Sequence, residues 1–447
     1  MDDHSRLLLT APPGRLLLRL ATPNALAFMV QSAVSLAEVW FIGRLGTASL
    51  ASIALSFPLL MLVQTMSGGA TGGAVTSAIA RALGAGDAPK AEQLIWHALA
   101  VAVVGSALFL ALFLGFGRAL LSFLGGSGAI LVDALAYCLV LFCGGLGLWL
   151  LGVVSAIFRG MGDMKLPASM MVLSAAVQVP LSGVLVLGAF GVPQLGILGA
   201  AISAVFSAAL ASVLMLVLLA RPGRAIQLKR SAMVFAKPLF QDILRVALPA
   251  SLSPILTITI ILSLTAMAAT FGEAALAGYG IGSRIEFLLI PLVFGIGAAM
   301  TSLVGLSTGA GDTARAERIG WTGGAFAAGL AGSVGLVLAL FPEAWIYAFT
   351  NDPEAFAAAR DFIRIVGPCF AFQGLGLSLY FASQGAGAMT WPIVATIVRL
   401  IIAVGGGWGL ALWLNIGLQG VFIAAAAAMV TFGMMIATSL KLGAWRG

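Results

Sequence analysis

Few side chains in this sequence can do chemistry, and most of those sit at helical spacing. Glu38 follows Gln31 and Ser35 by seven and three residues, which puts all three on one helix face. A carboxylate, an amide and a hydroxyl on one face offer a seat for a cation or a proton. The alternative is a helix-end carboxylate paired with Arg44. A second group lies at Tyr279, Ser283 and Glu286, again spaced i, i+4, i+7, with Arg284 among them and Arg399 farther on. That face could line a cavity for a cationic substrate, or Glu286 could pair with a cation on another helix. Arg284 and Glu286, two apart, do not face each other. Arg399 fits either snorkelling or pairing with a carboxylate. Trp40, Phe57, Trp149, Phe287 and Tyr380 could stack on a lipophilic cation or serve as packing and interface anchors. Other chemistries lack their residues. Cys138, Cys143, Cys369, His4 and His97 form no metal-ligand spacing, and no HExxH, phosphate loop or nucleophile elbow occurs. No enzyme is expected, and no cofactor beyond a coupling proton or sodium ion.

The elements that position these groups must be membrane helices. The chain has 447 residues, 61% hydrophobic and only 9% charged, against about 25% charged in soluble domains. So few charges cannot cover a water-exposed surface of this size, and the bilayer must be the solvent for most of the chain. Twelve apolar segments are long enough to span: 24–43, 48–80, 91–116, 130–157, 167–190, 196–220, 243–271, 275–306, 317–341, 356–384, 391–414 and 417–440. Bends are expected at Pro58, Pro180, Pro254, Pro291, Pro368 and the run Gly68–Gly73. The formal charge of +7 does not point to nucleic acid, because the cations sit in short loops between spans. A cleavable leader is not expected, since no small-residue cleavage site follows Arg6, Arg15 and Arg19.

Loop cations set the expected orientation. Alternate loops hold Arg81, Lys90, Arg159, Lys165, Arg221, Arg224, Lys229, Arg230, Lys237, Arg315 and Arg318, and the termini add Arg6, Arg15, Arg19, Lys441 and Arg446. The opposite loops hold few beyond Arg44 and Arg118. Both termini are therefore expected in the cytoplasm. Residues 84–96 (GAGDAPKAEQLIW) and 309–321 (GAGDTARAERIGW) match at seven of thirteen positions, 225 apart. The same offset relates Gly160, Gly162 and Pro167 to Gly385, Gly387 and Pro392. An offset of 226 relates Pro23 and Gly46 to Pro249 and Gly272. The expected architecture is all-α and integral to the membrane: twelve transmembrane helices in two six-helix halves, related by a pseudo-two-fold about the membrane normal. The lobes are 1–220 and 243–447, joined by a basic linker, 221–242. Six spans per half make the repeats parallel, an arrangement known among secondary transporters. In each GAGD segment the aspartate, Asp87 or Asp312, is expected to cap the next helix.

The chain resembles the multidrug and toxic compound extrusion family. The resemblance rests on the two-half order, AEVWFIGRLGTASLA (37–51), the GAGD loops, FRGMGDMKLP (158–167) and GYGIGSRIEFLLIP (278–291). It implies an antiporter in the bacterial inner membrane, a monomer that exports amphipathic or cationic organic compounds by proton or sodium entry. Lipid-linked sugar flippases of the same superfamily are the alternative function. The family's first-helix acid, usually Asp, matches Glu38. An Asn and an Asp four apart in the fifth span of some relatives match Gln178 and Ser182 here. Carboxylates used by other relatives in the seventh and tenth spans have no central counterpart. With neither ion-site pattern complete, proton coupling at Glu38 is expected, since sodium takes several oxygen ligands.

Overall fold

The computed structural model describes residues 8–446. His4 and Arg6, named above among the histidines and terminal cations, lie outside the described residues. The helices are α1 (Pro13–Gly43), α2 (Thr47–Gly84), α3 (Ala88–Phe123), α4 (Gly128–Cys143), α5 (Gly145–Gly160), α6 (Lys165–Leu187) and α7 (Ile197–Ala220). They are followed by α8 (Lys237–Ala269), α9 (Glu273–Gly309), α10 (Thr313–Leu340), α11 (Pro353–Ala386), α12 (Thr390–Trp413) and α13 (Leu418–Lys441). Eleven of these are each long and apolar enough to cross a membrane. The twelfth span is α4 with α5, bent by 51° between them. The fold is the twelve-helix, all-α membrane architecture.

The breaks fall where small residues allow helices to crowd, more than where proline removes a donor. Pro58, Pro180, Pro254 and Pro291 all stay inside continuous helices. In lipid a proline's freed carbonyl can be satisfied by a neighbouring helix, so proline alone need not end a span. The glycine run does distort α2, as a π-helical stretch at Thr65–Thr71. A Cβ on Gly152 of α5 would sit 2.9 Å from the Ser67 carbonyl carbon, so α5 presses onto that stretch. Two breaks were not foreseen. One is the α4–α5 bend at Gly144; the other is a pair of π-helical turns in α12, Ile401–Gly406 and Gly409–Trp413. Both lie at glycines rather than prolines.

The repeat is visible element by element. The pair α4 and α5 begins at 128 and 145; α11 begins at 353 and resumes after a short 3-10 turn, Gly367–Cys369, at 370. Both offsets are 225. Asp87 accepts from the Lys90 N–H at 3.0 Å and Asp312 from the Arg315 N–H at 2.8 Å. These are the expected caps, each behind a glycine at φ +77° (Gly86, Gly311). Thr76 donates to the Ala156 carbonyl at 3.0 Å, and Thr301 to that of Phe381 at 2.9 Å. Four residues 225 apart thus make the same two bonds.

Two compact units result: Leu26–Leu248, and Leu8–Ala25 with Pro249 onward. A division at the linker would give residues 8–25 to the first lobe and 243–248 to the second; the structure groups them the other way. Physical ties explain the grouping. In the second unit the Arg315 guanidinium donates to the Leu8 and Ala11 carbonyls at 2.9 and 2.7 Å. In the first, Asp242 is held by Arg81 at 2.8 Å and Lys90 at 3.3 Å.

Candidate functional site

In the first unit α6 approaches α1 closely. A Cβ on Gly183 would lie 3.0 Å from the Phe41 ring, so glycine there lets the two helices meet. One turn earlier on α6, the Gln178 Nε2–H donates to Glu38 Oε1 at 2.8 Å. The Gln178 Oε1 in turn accepts from the Ser207 hydroxyl of α7 at 3.3 Å. Three helices thus contribute one chain: carboxylate, amide, hydroxyl. Tyr137 of α4 is buried and close enough to Glu38 to interact electrostatically. Ser182 lies four residues after Gln178, on the same face of α6. It is fully buried and its hydroxyl has no hydrogen-bond partner among the described residues.

Arg44 does not pair with Glu38; its guanidinium lies 4.0 Å from the Trp40 ring centroid. Nor does the structure join Glu38 to its own helix face. The Ser35 hydroxyl donates to the Gln31 carbonyl at 3.5 Å and is exposed, and Gln31 makes no hydrogen bond to Glu38. Gln31 and Ser35 share Glu38's helix face but are not its hydrogen-bond partners. Those come from α6, and the reason is that a serine on a helix satisfies its hydroxyl on the i−4 carbonyl. Sequence reasoning missed Tyr137 and Ser207. Tyr137 had a signal, being one of only four tyrosines and inside a span; Ser207 had none among the other serines of α7.

In the second unit Glu286 and Arg399 lie near enough for each to feel the other's charge. Arg399 is buried, with its guanidinium 5.3 Å from the Phe432 centroid. Tyr279 is buried edge-on to Phe362, ring centroids 5.6 Å apart, and its hydroxyl faces Thr265. Arg284 does not join them: it is exposed, 5.1 Å from the Phe349 centroid. Ser283 turns its hydroxyl onto the Gly280 carbonyl at 3.2 Å. Of five residues placed on a substrate cavity, the structure therefore gathers Tyr279, Glu286 and Arg399 and leaves out Ser283 and Arg284. The two lobes differ in sign. Among the described residues no cation forms an ion pair with Glu38, whereas Glu286 has Arg399 nearby.

Set beside known proteins, the sequence matches the family model MatE over residues 23–184 and 249–408. It is 28% identical over 399 residues to a protein of Shewanella oneidensis described as an FAD transporter, covering 89% of this chain and 87% of that one. It is 27% identical over 385 residues to the probable multidrug resistance protein NorM of Thermotoga maritima, covering 86% and 82%. A solved structure described as the outward-facing conformation of a multidrug resistance MATE family transporter of the MOP superfamily superimposes with TM-score 0.88 at 25% identity, covering 99% of each chain. A MOP superfamily transporter from Pyrococcus furiosus superimposes with TM-score 0.91 at 24% identity, covering 99% and 98%, and so shares the fold.

Proposed function

The chain belongs to the MatE family of multi-pass membrane transporters, and from that premise we propose that it is a secondary antiporter that exports amphipathic or cationic organic compounds in exchange for protons carried by Glu38. The names of its relatives support the substrate class: probable multidrug resistance proteins recur among them. The observation that carries the coupling reading is the Glu38–Gln178–Ser207 chain, which holds a membrane carboxylate by an amide and not by a cation.

Such a chain has two stable arrangements. Ionised Glu38 only accepts, and the Gln178 amide N–H supplies the bond. Protonated Glu38 can donate; the amide then turns its oxygen to Glu38 and its N–H to the Ser207 oxygen. Coupling needs two protonation forms that prefer different conformations, and an amide that reverses with the proton is one physical basis for it. Ser182, whose buried hydroxyl has no hydrogen-bond partner among the described residues, shares the Gln178 face of α6; a proton needs no further ligand, whereas a sodium ion takes several oxygens. The flippase alternative asks for a strongly cationic cavity to bind pyrophosphate. Arg399 is offset by Glu286 and Arg284 lies over the Phe349 ring; two such cations do not make a strongly cationic cluster, which favours export of organic compounds. Purified protein in liposomes distinguishes the readings under separately imposed gradients. A proton gradient alone should drive export of a fluorescent lipophilic cation; export driven by a sodium gradient alone, with none from the proton gradient, would overturn proton coupling.

A further inference from the structure

The loop between α7 and α8 joins two spans, so it lies at the depth where helices leave the bilayer. Its inner side is pinned to α3 at three residues. The Trp96 indole N–H donates to the Lys229 carbonyl at 2.9 Å. Glu92 accepts from the Lys229 ammonium at 2.7 Å and from the Gln227 N–H at 3.2 Å. The His97 Nε2 stands 3.0 Å from the Ala236 N–H. That backbone N–H can only donate, so Nε2 accepts and the ring proton sits on Nδ1, where it donates to the Gln93 carbonyl at 2.8 Å. Three backbone groups of the strap, the Lys229 carbonyl and the Gln227 and Ala236 N–H groups, are thereby satisfied by α3.

What this pinning leaves outside is the informative part. Three successive apolar residues, Met233, Val234 and Phe235, are 51%, 54% and 51% exposed. Exposed Arg230 and Lys237 flank them and form no ion pair among the described residues. The acids within reach are already engaged: Glu92 by Lys229, and Asp242 by Arg81, Lys90 and Arg245. An apolar triad between two uncompensated cations, held at interface depth, suits one surface: acyl chains for the triad and negative headgroups for the cations.

We propose that the strap 230–237 is a docking surface for anionic phospholipid, with Met233–Phe235 at the acyl boundary and Arg230 and Lys237 on headgroup phosphates. The full chain in nanodiscs tests this by amide hydrogen exchange, comparing phosphatidylcholine with phosphatidylcholine plus phosphatidylglycerol at low salt. Peptides covering 231–236 should exchange roughly tenfold more slowly with phosphatidylglycerol, the scale expected of two basic residues at an anionic surface. Raised salt should erase the difference, and so should Arg230→Gln with Lys237→Gln. Equal exchange in the two lipids would overturn the proposal and point to a soluble partner or to none. A difference that survives the double charge variant would overturn it as well, by placing the lipid contact elsewhere.

Discussion

Glu38 and Glu286 are both carboxylates inside spans, and their neighbours differ in kind. Glu38 is held by a neutral amide that can reverse; Glu286 sits by a fixed positive charge. Glu38→Gln removes the titrating group while keeping size and hydrogen bonding. It should insert and fold normally yet lose proton-driven export in liposomes, and Glu38→Asp should retain part of it. Wild-type export by Glu38→Gln would make this residue structural. The second pair should behave oppositely. Arg399→Met leaves a charged acid without its partner, at a cost of about 3 kcal/mol, the lower end for a buried pair because Glu286 is only half-buried. Thermal unfolding in detergent should show a lowered midpoint, largely restored by adding Glu286→Gln. An unchanged midpoint in Arg399→Met would mean that the pair contributes nothing to stability.

At the scale of elements, the site exists because α6 and α1 touch. Gly183 faces the Phe41 ring, and the Gln178–Glu38 bond lies one turn away on the same helices. Gly183→Ala needs a shift of a few tenths of an ångström and should be tolerated. Gly183→Leu must push the helices apart, at about 1–3 kcal/mol for overpacking, and should cut transport more than it cuts folded yield. Equal losses in both would deny the contact a role in aligning the site. The same helices show what a sequence reveals and what it hides. Glu38 stood out because an acid in an apolar segment is rare, and the GAGD caps because they depend on local geometry. Gln178's reach to Glu38 did not stand out, since the two are 140 residues apart and only the packing at Gly183 joins them. Gln31 and Ser35 share Glu38's face without bonding to it, because helical spacing shows which residues share a face, not what the face meets. The interruptions at Pro368 and in the run Gly68–Gly73 fall where the sequence marks them, while the crowding that breaks α4–α5 at Gly144 depends on a neighbour. There a Cβ would meet the Val205 side chain at 2.2 Å.

For the whole molecule, the number of crossings turns on that bend. If α4 and α5 form one bent span, the first half crosses six times; if they turned back as a re-entrant loop, it would cross five times. The counterpart in the second half decides between them. α11 has its own interruption, Gly367–Cys369, and it falls 225 residues beyond 142–144, where α4 gives way to α5. Yet α11 as a whole qualifies as a single span. The residues after each break also make matching bonds, since the Ala156 and Phe381 carbonyls accept from Thr76 and Thr301. Two copies of one element that pack alike should cross alike, so α4 with α5 crosses once. Six spans in each half would place the linker and the C-terminus on the same face, and from the Lys/Arg bias we propose that this face is cytoplasmic. Reporter fusions after residue 230 and at the C-terminus should therefore both read as cytoplasmic, and a fusion near residue 350 as external. A fusion at 126, between α3 and α4, should read external and one at 163 cytoplasmic. If 126 and 163 report the same side, the bent pair is re-entrant, the first half has five spans, and the two halves cannot be parallel repeats.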